Sequence, residues 1–150
     1  MKKSKNKSPT PTEIAPGLRC GDLDAGPALK IFENKSVEDV VSYLLSEAEN
    51  PYDIFEYFYF MSSSAFQFYF PIFEKYIMQD YEKNGEIDDV FIWALLKLVE
   101  ARSVEILEYN IDFSSLRRLL DIVIPELVLR GKSSETTGLS ILWERIKTKI

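Results

Sequence analysis

The chain has 150 residues, of which 46% are hydrophobic and 28% charged, the size and composition of one globular domain. It contains no histidine and a single cysteine, Cys20. The missing histidine excludes Ser-His and Cys-His nucleophile pairs and most zinc sites. A lone cysteine excludes an internal disulfide and favours a reducing, cytoplasmic location.

The formal charge of −6 is unevenly distributed along the chain. Lys2, Lys3, Lys5 and Lys7 lie near the start, and the remainder holds 14 basic and 24 acidic side chains, a charge of −10. Because phosphate binding needs clustered lysine and arginine, this distribution disfavours a nucleic-acid surface. It suits a basic protein partner, although solubility alone is the commoner reason for an acidic surface.

Residues 1–17 are predicted to form a flexible leader, because Pro9, Pro11 and Pro16 interrupt them and their lysines repel one another. The folded domain is then expected over residues 18–150. No apolar stretch follows the first lysines, so no secretory signal is expected. The uncharged stretch 57–73 is shorter than the roughly 20 apolar residues of a membrane span, and it predicts buried core.

Helices in the first half follow from capping signals and spacing. A short helical turn is expected over 28–32. Ser36, with Asp39 three residues later, resembles a capping box and opens a helix that Asn50-Pro51 ends.

Residues 52–81 are unusually aromatic, with thirteen of the chain's twenty aromatic side chains. Periodicity leaves strand or helix open for 54–60, and helix is favoured because no partner strand is evident. Ser62 or Ser64 caps the next helix, with Gln67 suiting Ser64 as a capping box. Pro71 starts another helix or kinks the one before it.

Later helices are marked in the same way. Asn84-Gly85 is a stop signal, and Asp88 and Asp89 open the next helix at its positive dipole end. Asp112 or Ser114 caps a further helix, which Arg130-Gly131 ends. Pro125 predicts a kink or break inside it. The last helix is expected from about Leu139. The pattern predicts a single all-α domain of about six helices around an aromatic-rich core.

Candidate sites for chemistry each have a plainer explanation. Asp22, Asp24 and Glu33 match positions 1, 3 and 12 of a calcium loop, but Gly26 and Pro27 fail at positions 5 and 6.

Three further candidates have structural explanations. Acidic residues at the start of a helix, such as Glu86, Asp88 and Asp89, complement its dipole. Glu105 and Glu108 suit a solvated helix face, and the serines at 62–64 suit a cap. We therefore expect no catalytic residue, no metal site and no cofactor, and the chain is predicted not to be an enzyme.

One segment resembles a known family. Phe60-Met-Ser-Ser-Ser-Ala-Phe-Gln-Phe-Tyr-Phe-Pro71 is similar to the Leu-Ser-Pro-Glu-Ala-Phe-Arg-Tyr-Tyr-Leu-Pro signature of a family of small, uncharacterised bacterial helical proteins. In the resemblance, Asn34–Val37 corresponds to an upstream turn and Leu142-Trp143 to a tryptophan near the C-terminus. Cys20–Leu23 corresponds to a Cys-x-x-Cys segment, but Leu23 stands in place of the second cysteine, and Ser63 in place of the proline.

The resemblance implies an accessory protein, and some similar small acidic helical proteins are immunity partners of toxins. Acidity and abundant tyrosine likewise favour a non-catalytic module that binds a basic protein, such as a toxin domain that it neutralises. The alternatives are a helical adaptor or regulator, or an enzyme that uses carboxylates or tyrosine. No nucleic acid or membrane is expected as a partner, and the oligomeric state is open. The predicted partner-binding carboxylates are Glu47, Glu49, Asp53, Glu56, Asp88, Asp89, Glu105 and Glu108.

Overall fold

The computed structural model describes residues 7–16, 25–131 and 134–150, with side chains from 138 onward in the last range. Its helices are α1 Pro11–Ile14, α2 Ala25–Phe32, α3 Val37–Ser46, α4 Ile54–Phe60, α5 Ser63–Tyr69, α6 Ile72–Asn84, α7 Asp89–Ala101, α8 Ser103–Glu108, α9 Ser114–Arg130 and α10 Ser134–Lys147. A 3-10 turn, Pro51–Asp53, precedes α4. These ranges contain no strand, which confirms the all-α prediction, and six of the helices have eight residues or more.

The chain divides into two compact units, Met1–Ile72 and Phe73–Ile150. The first unit is built around an aromatic cluster of four side chains that are almost fully buried: Phe32, Phe58, Phe66 and Tyr69. The ring centroids of Phe32 and Tyr69 lie 4.9 Å apart, and those of Phe58 and Phe66 lie 6.1 Å apart with nearly perpendicular planes. Such edge-to-face and tilted pairs add to the free energy gained by burying the rings.

Local signals placed several helix ends correctly. Ser36 and Asp39 form the predicted capping box, with Asp39 N donating to Ser36 Oγ at 3.0 Å and Ser36 N donating to Asp39 Oδ2 at 2.9 Å. Residues 54–60 are helical, as favoured. α6 begins directly after Pro71 and ends at Asn84, and Gly85 follows with φ of +69°.

The expected flexible leader contains a formed helix. Thr10 caps α1 in a capping box with Glu13, and Ile14 is only 1% exposed. The Glu13 carboxylate also accepts a hydrogen bond from Ser64, and Glu13 O accepts one from Ser62 N at 2.8 Å. These partners lie far along the chain, so the leader's own composition could not reveal them.

The structure decides one open expectation in the first unit and corrects another. Ser62, one of the two serines predicted as the cap, caps α5, because Ala65 N donates to Ser62 Oγ. α2 begins at Ala25, three residues before the expected turn. The predicted boundary at residues 17 and 18 lies outside the described residues, as do Cys20, Asp22 and Asp24.

The second unit packs α10 against both α9 and α7. Trp143 of α10 is buried, and its indole Nε1 donates to Asp121 Oδ1 at 2.8 Å. Arg145 Nε donates to Glu100 Oε2 at 2.7 Å, which ties α10 to α7. The hydrophobic core of this unit therefore has polar connections along its rim.

The second unit also departs from expectation in two helices. α9 runs through Pro125 to Arg130, so the break, one of the two outcomes predicted there, does not occur. Pro125 is exposed while Val123 and Ile124 are buried, so the flanking core contacts offset the missing backbone donor. α10 begins at Ser134, five residues before the expected start.

The start of α7 agrees with the prediction, because Asp88 caps it by accepting from Val90 N and Phe91 N at 3.0 and 3.3 Å. The predicted cap of α9, Asp112 or Ser114, is wrong, because the N-cap residue is Phe113. Asp112 Oδ1 instead accepts from the backbone nitrogen and hydroxyl of Ser114, the first residue of α9, at 3.1 and 2.7 Å. Across the described ranges, every helix is too short or too polar to cross a membrane.

Candidate partner-binding surfaces

A groove of about 810 Å³ lies in the first unit between three helical segments. Each segment contributes residues spaced by three or four positions, which places them on one helix face. From α2 and its end these are Pro27, Lys30, Ile31 and Asn34; from α3, Asp39, Ser42, Tyr43 and Glu47; and from the start of α4, Asn50, Asp53, Ile54 and Tyr57. We call this feature the α2–α3–α4 groove.

The groove brings together three of the predicted partner-binding carboxylates, Glu47, Glu49 and Asp53. All three are exposed, and none forms an ion pair with another described residue. Lys30 and Lys35 also line the groove, and the charge of Lys35 helps to lower the pKa of Asp39. The groove therefore contains both signs of charge, with the acidic groups in excess.

Asp39 adds a fourth carboxylate to the groove, and hydrogen bonds within the helix cap favour its ionised form. The backbone N–H of Ser36, then the Ser36 hydroxyl, hold the pKa of Asp39 below its ordinary value. Asp39 is consequently ionised throughout the neutral range. Because its oxygens already serve the helix cap, it supplies charge to the groove more than hydrogen-bonding capacity.

The other predicted carboxylates are dispersed. Glu56 and Glu108 are exposed, but neither lines the groove. Asp88 is engaged as the cap of α7. Glu105 lies beside Arg102, whose Nε donates to Glu105 Oε1 at 2.8 Å and whose second nitrogen completes a bidentate pair. Glu105 stays a predicted partner-binding residue, and this nearly buried arginine neutralises much of its charge.

A second cleft, of about 290 Å³, lies in the second unit between α7 and α10. It is lined by Asp89, Val90, Trp93 and Leu139. Trp93 is 37% exposed, and Lys97 Nζ lies 5.3 Å from its ring centroid. Among the predicted carboxylates, Asp89 alone reaches this cleft, which we call the Trp93 cleft.

Sequence reasoning missed Trp93, although a signal was present. The buried face of α7 contains Phe91, Leu95 and Leu98. Val90, Trp93 and Lys97 follow a separate helical line, three and four positions apart. An indole that shares a line with a lysine, away from the apolar face, indicates a surface aromatic residue.

Comparisons of the chain with protein-family models, with curated protein sequences and with solved structures yield no match. The resemblance at residues 60–71 therefore stays a prediction. Within the described ranges, no three acidic or cysteine side chains cluster in the way that metal ligands do. The two surfaces above are the features on which a function can be argued.

Proposed function

We propose that the chain is a non-catalytic protein-binding module whose α2–α3–α4 groove receives a basic segment of a partner protein. The observation that carries the proposal is the convergence of Glu47, Glu49 and Asp53 on one groove, where none of them forms an ion pair with a described residue. Unpaired carboxylates at a concave surface attract and orient a cationic partner, and they act mainly on the association rate.

The groove also limits which basic segment fits. Lys30 and Lys35 repel cations, so the partner's basic side chains are directed toward Glu47, Glu49 and Asp53. Tyr43 and Tyr57 supply aromatic surface, and tyrosine is enriched at protein interfaces. A partner segment with several basic residues and a few polar or acidic ones complements both signs of charge.

The specific form of the proposal is an immunity protein that acts in the cytoplasm and neutralises a toxin domain by covering its basic surface. The acidic excess of the groove and of the whole chain supports this form. An adaptor that binds a harmless basic protein is the competing form. The two forms differ in whether the free partner arrests growth and whether co-expression of this chain restores it.

The test begins with capture on the immobilised full chain, followed by measurement of association and dissociation rates with the purified partner at several salt concentrations. Changing Glu47→Gln, Glu49→Gln and Asp53→Asn together is expected to slow association about tenfold at low salt. The matched control is Glu38→Gln, Glu82→Gln and Glu144→Gln, which removes the same charge from exposed positions outside the groove.

If the two triple variants slow association equally, the groove acts only through the net charge of the protein, and the proposal is overturned. A partner without a basic surface, or an association rate that is independent of salt, would also contradict it. If the partner is basic but does not arrest growth, the proposal of a binding module stands and the proposal of an immunity protein fails.

A further inference from the structure

The Trp93 cleft has the combination of groups that proteins use to bind an organic cation. Its walls include an exposed indole, a carboxylate and two aliphatic side chains, Val90 and Leu139. Its volume of about 290 Å³ lies at the lower edge of the range for small-molecule sites, roughly 300–1,000 Å³. The cleft therefore suits one side chain of a partner better than a cofactor.

Lys97 shows that the indole already holds a cation. Its ammonium nitrogen lies 5.3 Å from the ring centroid of Trp93, within the roughly 6 Å at which a cation is attracted to an aromatic face. Lys97 lies four residues after Trp93, whereas Asp89 and Val90 lie four and three residues before it. The cleft residues of α7 consequently precede Trp93 along the helix, and Lys97 follows it.

Asp89 supplies the counter-charge. It is the first residue of α7, and no described residue forms an ion pair with it. The preceding Asp88 carboxylate is used by the helix cap, which leaves Asp89 as the carboxylate that faces the cleft. A planar guanidinium can stack on an indole and pair with a carboxylate at once, whereas an ammonium is a compact point charge.

We propose that the Trp93 cleft binds an arginine side chain of a partner protein, with the guanidinium stacked on Trp93 and paired with Asp89. The inference rests on the proposed function only in that both require a basic partner. It concerns a different unit and different residues, and it assigns the role of a competing internal cation to Lys97.

The test uses the ¹⁵N-labelled full chain and the peptide acetyl-Gly-Arg-Gly-amide, with the citrulline peptide as the neutral isostere. The indole N–H of Trp93 is distinguished from that of Trp143 with the variant Trp93→Phe. We expect the arginine peptide to shift the Trp93 indole and the amides of Asp89 and Val90. The citrulline peptide should leave them nearly unchanged at the same concentration.

Three variants separate this site from general charge attraction. Asp89→Asn should weaken arginine-peptide binding about two- to fivefold, as for an exposed ion pair. Lys97→Met should strengthen it by about two- to fivefold, because the competing cation is removed. Glu82→Gln, an exposed change outside the cleft, should have no effect. Circular dichroism of each variant confirms that the helices are retained.

Equal shifts with the citrulline peptide, or no change in affinity for Asp89→Asn, would overturn the proposal. Weaker binding in Lys97→Met would also contradict it. If the arginine peptide shifts only amides of the α2–α3–α4 groove, the cleft proposal fails while the proposed function stands. If the groove triple variant binds its partner normally and the Trp93 response persists, the proposed function fails while the cleft proposal stands.

Discussion

Tyr69 donates its phenolic hydrogen bond to the carbonyl oxygen of Phe32, at an oxygen–oxygen distance of 2.6 Å. Phe32 is the last residue of α2, where backbone carbonyls lack partners within the helix. The same hydroxyl lies 3.0 Å from the carbonyl oxygen of Lys35. One buried hydroxyl of α5 thus donates to backbone carbonyls both at the end of α2 and in the loop that leads to α3.

Replacing Tyr69 by phenylalanine keeps the ring in the aromatic cluster and removes only the hydroxyl. The Phe32 carbonyl keeps a second donor, Lys35 N at 3.1 Å, so the variant loses the hydroxyl's hydrogen bond without leaving that carbonyl unpaired. We therefore expect the free energy of unfolding to fall by about 0.5–1.5 kcal/mol. Chemical denaturation followed by circular dichroism measures the change. Tyr59→Phe is the control, since Tyr59 is 40% exposed, and an equal loss in both variants would contradict the role of the hydrogen bond.

Alkaline pH should destabilise each unit through one buried tyrosine. Burial raises the pKa of Tyr69 to about 12, with a smaller contribution from the charge of Asp39. Burial likewise raises the pKa of Tyr76 to about 12, with smaller contributions from Asp80 and Asp88. Between pH 10 and 12 the unfolded chain loses these protons and the folded chain keeps them, so the free energy of unfolding falls as pH rises.

The stabilisation that these two tyrosines provide is fully present below about pH 10, the ordinary tyrosine pKa, and is lost as pH rises toward 12. Denaturation at a series of pH values measures it. Tyr69→Phe and Tyr76→Phe should each flatten the decline, and the double variant should flatten it most. An unchanged slope in the double variant would show that other groups cause the alkaline instability.

Two phenylalanines of α4 differ sharply in burial. Phe58 is fully buried in the aromatic cluster, and Phe60 is 75% exposed. Phe58→Ala should lower the free energy of unfolding by about 3–5 kcal/mol, because it leaves a cavity beside Phe32 and Phe66. Phe60→Ala should change it by less than about 0.5 kcal/mol. Similar losses in both variants would be inconsistent with the described packing.

The fold was predictable where its signals are local. The capping box of Ser36, the stop at Asn84-Gly85 and the cap at Asp88 depend on residues within a few positions of one another. α1 also has a local signal, the capping box of Thr10 and Glu13 with Pro11 at the first helical position, which the prolines and lysines of the leader obscured. The contacts of Glu13 with Ser62 and Ser64, across about fifty residues, could not be read from local sequence.

The candidate surfaces were predictable only in part. The acidity of Glu47, Glu49 and Asp53 was evident, but their convergence depends on how α2, α3 and α4 pack. The ion pair of Glu105 with Arg102 was predictable from sequence, since the two residues are three positions apart and such pairs meet on a helix. The Trp93 cleft depends on α10 approaching α7, which no local pattern indicates.

Acid titration should report the bond between Trp143 and Asp121. The indole hydrogen bond of Trp143, and then the interaction with Lys147, lower the pKa of Asp121 below its ordinary value. The ¹H shift of the Trp143 indole should therefore titrate with a midpoint below about 3.8. The stabilisation from this carboxylate is present above the ordinary pKa and is lost as pH falls through the lowered one. Asp121→Asn should abolish the titration, and its persistence in that variant would assign it to another group.

Gly138 offers a stabilising substitution in α10. A Cβ there would lie 3.4 Å from Trp93 Cζ3 and 3.6 Å from Cη2, which is ordinary van der Waals contact. Glycine within a helix costs about 0.8–1.0 kcal/mol relative to alanine, so Gly138→Ala should raise the free energy of unfolding by up to that amount. Gly85→Ala is the informative contrast, because its φ of +69° strains any side chain, and it should destabilise by about 1 kcal/mol. Thermal and chemical denaturation measure both changes. A loss of stability in Gly138→Ala would mean that Trp93 cannot accept the added methyl group, and the close approach of α10 to α7 would then depend on this glycine.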